Sequence, residues 1–129
     1  LERIVKRMKE LNPQPKRKIP ILIGGGGEKV TLRITAQYAD IWHGFATKTE
    51  ARSGIETVAH KNKVLDNWCK EIGRDPKEIK RSIGIDIKRI DLADELIEAG
   101  ATEVTLAVNG PGYDLTDVKE WIAWRDSKN

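Results

Sequence analysis

Ile19-Pro20-Ile21-Leu22-Ile23-Gly24-Gly25-Gly26-Gly27-Glu28-Lys29-Val30-Thr31-Leu32-Arg33-Ile34-Thr35-Ala36-Gln37-Tyr38-Ala39-Asp40-Ile41-Trp42-His43 is the stretch on which the fold turns. Its first five residues suit a short strand buried on both faces, its glycines a loop free to take positive φ, and good helix formers follow. A helix start presents N–H groups without internal partners at the positive end of the macrodipole. Strand, glycine loop and helix together therefore make a candidate phosphate or anion cradle at Gly24, Gly25, Gly26 and Gly27. Four consecutive glycines match neither the spaced dinucleotide fingerprint nor the P-loop ending, so a plain flexible turn stays open as the alternative. Glu28 would stabilise the helix start but repel a phosphate, whereas Lys29 would attract one.

Outward from this stretch, Ile4, Val5, Met8 and Leu11 lie at helical spacing, and Asn12-Pro13-Gln14-Pro15 ends that amphipathic helix. Behind the glycines, Val30, Ile34 and Tyr38 recur every four residues, with Leu32, Ala36 and Ala39 widening the apolar stripe. Asp40 to Phe45 reads as a second strand running into a loop at Thr47-Lys48-Thr49. Ser53 with Glu56 forms a capping box for a helix whose Ile55, Val58, Leu65, Trp68 and Ile72 share a face, with Gly73 placed to end it. Ser82 to Ile87 alternates and reads as a third strand. Asp91 with Asp94 is expected to cap a helix from Leu92 to Ala99. A fourth strand over Glu103 to Val108 and a last helix over Thr116 to Arg125 complete the chain, the latter anchored by Val118, Trp121, Ile122 and Trp124.

The chain is 129 residues long, 39% hydrophobic and 33% charged, the balance of a single globular domain over residues 1–129. Its net charge of +3 comes from interleaved acids and bases rather than from a basic block, which argues against nucleic acid as a partner. No apolar run approaches the roughly 18 residues of a membrane span, and no secretory signal opens the sequence. The lone Cys69 cannot form an internal disulfide, and the default expectation is a cytoplasmic protein. Leu1 in place of an initiator methionine is compatible with a piece of a longer chain or an engineered one.

A helix followed by four βα units predicts an α/β fold with a parallel sheet and right-handed crossovers. Two architectures fit: a small open sheet, or half of a (β/α)8 barrel. The half-barrel would leave two open strand edges and an exposed inner face, and so calls for another half or a second copy of itself.

Pro20 to Lys29, with Thr31-Leu32-Arg33 and Tyr38-Ala39-Asp40-Ile41-Trp42, resembles the C-terminal part of the luciferase-like monooxygenase family, in particular its coenzyme F420-dependent oxidoreductases. Gly73-Arg74-Asp75-Pro76 with Glu78-Ile79, Gly112-Tyr113-Asp114-Leu115 and Glu120 to Asp126 agree with it. The resemblance implies a TIM-type barrel with F420, or alternatively FMN, at the C-terminal ends of the strands. It implies that Gly24, Gly25 and Gly26, a helix start at Gly27 and Glu28, and Lys29 face the cofactor phosphate. It also implies that Thr47 and Lys48 lie near positions that contact a small-molecule substrate's phosphate in related sugar-phosphate dehydrogenases. In that family the residues beside the flavin ring belong to an N-terminal half that these 129 residues do not include, so the resemblance implies that the chain is the cofactor half of an oxidoreductase. The competing expectation is a non-catalytic or engineered half-barrel that folds and self-associates.

A deazaflavin carries its own hydride chemistry, so no catalytic triad is required of the protein. His43, at the end of the second strand, is the candidate proton donor, with a purely structural histidine beside Trp42 as the alternative. Asp86, Lys88 and Asn109 occupy comparable strand ends. His60 is expected to be exposed, and Trp68, Trp121 and Trp124 to be core or interface. His43, His60, Cys69 and the acids show no metal-ligand spacing, and no metal is expected.

Overall fold

The computed structural model describes residues 1–128, and among them four strands and five α-helices alternate. The strands are β1 (Leu22–Gly24), β2 (Ile41–Phe45), β3 (Lys80–Gly84) and β4 (Glu103–Thr105), and they form one all-parallel sheet in the order β1-β2-β3-β4. The helices are α1 (Glu2–Met8), α2 (Thr31–Tyr38), α3 (Gly54–Glu71), α4 (Ala93–Glu98) and α5 (Thr116–Asp126), with 3-10 turns at Pro76–Glu78 and Ile90–Leu92. Sequential parallel neighbours joined by crossovers of one hand put the connecting helices on one face of the sheet. The core shows that face: Trp42 and Ile83 of the central strands pack with Leu32 and Ala36 of α2, Val58, Leu65 and Cys69 of α3, and Leu96 of α4.

Among the described residues no helix layer covers the other face, and this corrects the reading of Ile19 to Ile23 as a strand buried on both sides. The strand is only three residues long and lies at an edge, with Ile19 45% and Leu22 55% exposed. Its entry is tied by Asp40, whose carboxylate accepts from the Ile21 amide and from Lys18. Phe45, on the same open face as Leu22, is 64% exposed.

α2 begins at Thr31, one turn later than Gly27 and Glu28. Residues 28–30 form a turn in which the Leu32 amide donates to the Gly27 carbonyl at 2.9 Å. The buried side of α2 is Leu32, Thr35 and Ala36, while Val30 is exposed. The Ser53–Glu56 capping box forms as expected, and Gly73 ends α3 at φ 71°. The buried side of α3 centres on Val58, Leu65 and Cys69 rather than on Ile72, which is exposed.

Asp91 and Asp94 do not cap α4. Asp91 pairs with Arg89, Asp94 accepts from Trp124, and the helix starts from a 3-10 turn. β3 runs earlier than expected, and β4 stops at Thr105, which pairs with Gly84, the last residue of β3.

The Gly73-Arg74-Asp75-Pro76 motif has a structural explanation. Arg74 donates to the carbonyls of Ala36 and Ala39 at 2.8 Å each and so closes the C-terminal end of α2, while Asp75 accepts from the Lys77 amide and caps the following turn. Arg81 projects from β3 into the core region, where it is 5% exposed and donates to Asp66 at 2.7 Å and to the Pro76 carbonyl. Burial pushes its pKa down and Asp66 opposes the shift. No described helix is long and apolar enough to cross a membrane.

Candidate functional site

The parallel sheet sends all four strands to one edge, so the loops after β1, β2, β3 and β4 emerge together there. At this edge the glycine loop is held from two sides. The Gly25 amide donates to the His43 carbonyl at 3.0 Å, and the Gly25 carbonyl accepts from the Trp42 indole N–H at 2.9 Å. Gly25 sits at φ 118°, where a side chain is strained. The indole that reaches the loop needs a second glycine. A Cβ at Gly44 would stand 2.7 Å from the Trp42 ring.

Beyond Gly25 the backbone turns outward. The amides of Gly26, Gly27 and Glu28 have no protein acceptor among the described residues, and all three glycines from Gly25 to Gly27 are exposed. Successive unpaired N–H groups ahead of a helix form a concavity suited to an anion.

The Glu28 side chain reaches across to α3. Its carboxylate accepts from Lys61 Nζ at 2.5 Å and lies 3.0 Å from His60 Nε2, while its carbonyl accepts from the Trp68 indole at 2.8 Å. The acid of the glycine motif is thereby paired with the cation nearest the loop, Lys61, whose Cε lies 3.6 Å from a Cβ placed on Gly26. His60 is accordingly a partner of Glu28 and not a bare surface residue. Trp68 is half-buried and tethers the loop. The Lys61 hydrogen bond holds the Glu28 carboxyl below the usual carboxylate range, with burial opposing and His60 adding to it.

A carboxyl depressed in this way adds stability above its unfolded pKa of about 4.3, and that contribution is lost as pH falls through the lower folded value. Glu28→Gln is therefore expected to lose a few tenths to about 1 kcal/mol at neutral pH, the range of a solvent-screened pair. In strong acid it should converge on the wild type. Urea midpoints across that pH range check this; a pH-independent difference would detach Glu28 from its basic partners.

The remaining candidates are dispersed. Lys29 is exposed and makes no ion pair among the described residues. Thr47 and Lys48 lie in the exposed loop after β2 with no hydrogen bond or ion pair to the glycine loop. Asp86 accepts from the Lys88 amide, Lys88 pairs with Asp117 at 2.6 Å, and Asn109 is exposed after β4.

His43 sits on the open face of β2, its Nδ1 3.2 Å from Ser82 Oγ, which in turn lies 3.0 Å from Thr105 Oγ1. Its ring meets Phe45 edge-on at 4.9 Å. This three-strand chain of polar groups gives His43 a fixed orientation. Ser82 and Thr105 escaped the sequence reading because their pairing depends on register: His43 faces Ser82 across β2 and β3, and Gly84 faces Thr105 across β3 and β4.

Lys61 left a weak sequence signal, a basic residue two turns after the Ser53 cap. No group of three His, Cys, Asp or Glu among the described residues could hold a metal ion. Comparison of the chain with protein-family models and with curated proteins finds no match.

Proposed function

We propose that this chain is the cofactor half of an F420- or FMN-dependent oxidoreductase of the luciferase-like type, a cytoplasmic protein whose βα units form half of a (β/α)8 barrel. The observation that carries the reading is the row of unpaired amides at Gly26, Gly27 and Glu28 beside Lys61, at the edge where the strands end. These groups fit a phosphate: Gly26 and Gly27 carry no side chains of their own, and Lys61, which pairs with Glu28, stands beside them. In this reading Gly24 to Gly27 and Lys61 hold the cofactor's phosphate, with Lys29 contributing charge at the rim. The bound cofactor supplies the hydride chemistry. His43, oriented by Ser82, faces the open side of the sheet as proton donor, and Thr47 and Lys48 are the substrate-side candidates.

The second reading, a half-barrel whose property is folding and self-association, is favoured by a different observation. Leu22 and Phe45 are exposed on a sheet face that no helix covers, and both sheet edges are open.

Titration with F420 and with FMN, followed by their fluorescence, separates the two. Saturable binding that weakens about tenfold or more in Lys61→Ala, the scale of a lost charge-assisted contact, supports the cradle. No saturable binding to well-folded chain leaves the self-association reading.

A further inference from the structure

Two apolar features lack a partner among the described residues. The first is the N-terminal segment. α1 buries no residue, Ile4 is 59% exposed, and Leu1 and Leu11 are also exposed. Residues 1–20 carry seven Lys and Arg against two Glu. The second is a groove of about 850 Å³ between α4, β4 and α5, with Ile97, Val104, Leu106, Val118 and Ile122 among its lining residues. Glu98 and Glu103 also line it without an ion-pair partner among the described residues, while the two cations of the lining, Arg125 and Lys128, are paired with Asp126 and Asp94. Asp94 is already held by Lys128 and Trp124.

We propose that two copies of this chain associate reciprocally, α1 of each seating its apolar side in the α4–β4–α5 groove of the other. A short amphipathic helix flanked by cations is complementary to an apolar groove edged by carboxylates, with Arg3, Lys6 and Arg7 matched to Glu98 and Glu103. The exchange is isologous, so it closes as a two-fold dimer rather than propagating. Residues 9–21 contain neither helix nor strand, and at about 3.3 Å per extended residue this linker can span up to roughly 40 Å. The association needs no cofactor, so its failure and the failure of the oxidoreductase reading are separate results.

Sedimentation equilibrium of the full chain tests it. The wild type is expected to be dimeric at micromolar concentration. Ile4→Asp and Ile122→Asp, both at exposed positions, should each shift the dissociation midpoint about tenfold or more toward monomer, the effect of losing about 1.4 kcal/mol of binding. The double substitution Glu98→Lys with Glu103→Lys should weaken the dimer, and adding Lys6→Glu with Arg7→Glu should restore it. Circular dichroism confirms that each variant is folded. A wild-type chain monomeric throughout that range overturns the proposal, as does a dimer indifferent to all these changes. Binding to vesicles of anionic phospholipid without self-association also overturns it, assigning the basic segment to a membrane surface.

Discussion

Trp42→Ala is expected to destabilise the fold by about 3–5 kcal/mol, the range for removing a buried tryptophan. Trp42 is 1% exposed at the centre of the helix-facing side of the sheet. Gly44 beneath its ring has no side chain to move into the space. The same substitution removes the indole N–H that holds the Gly25 carbonyl, so a packing residue is also the anchor of the candidate site. Urea unfolding should show a large fall in midpoint, and thermal unfolding a drop on the order of 10–20 °C. Trp42→Phe separates the two roles. It keeps an aromatic ring in the core, loses the hydrogen bond, and should lower stability less while loosening the loop. A Trp42→Ala chain within about 1 kcal/mol of wild type would contradict the core described here.

Gly25→Val is expected to abolish binding of F420, FMN or sulfate at the glycine loop. At φ 118° a β-branched residue is strained by roughly 1–3 kcal/mol, and its Cβ would lie 3.3 Å from Thr31 Cγ2. The isopropyl group would also crowd the unpaired amides that follow. Gly26→Ala distinguishes occlusion from strain: its Cβ meets only Lys61 Cε, at an ordinary contact distance of 3.6 Å, so that variant should fold normally and still bind more weakly. His43→Ala should leave anion binding nearly intact, because the group that holds Gly25 is the His43 carbonyl and not its ring. Binding that survives Gly25→Val but fails in His43→Ala would move the site to the open sheet face. Isothermal calorimetry with sulfate and with each cofactor measures all three variants.

The βα rhythm was legible because it depends on local periodicity, and the parallel sense of the strands because short βα connections call for crossovers. Isoleucine-rich runs of a few residues, a Ser53–Glu56 box and a glycine at the end of α3 are short-range signals that survive without knowing the neighbours. The ends of elements were less legible. β4 is shorter than its apolar run, ending at Thr105 where its partner β3 ends at Gly84, and α2 starts only after a turn over residues 28–30 whose Glu28 bonds to α3. Asp91 and Asp94 looked like caps, yet each found a stronger partner in Arg89 or in Trp124 and Lys128.

The candidate site divides along the same line. The sequence by itself determined that a glycine loop stands between a strand and a helix, with backbone able to take positive φ, since glycine's lack of a Cβ is a property of the residue alone. Only the tertiary structure decided which charge that loop meets. Glu28 is adjacent to the glycines in the chain but is engaged by His60 and Lys61, and Lys61, more than thirty residues away, becomes the nearby cation. Register likewise decided that His43 meets Ser82 and Thr105, because contacts between strands follow from sheet pairing and not from spacing along one strand.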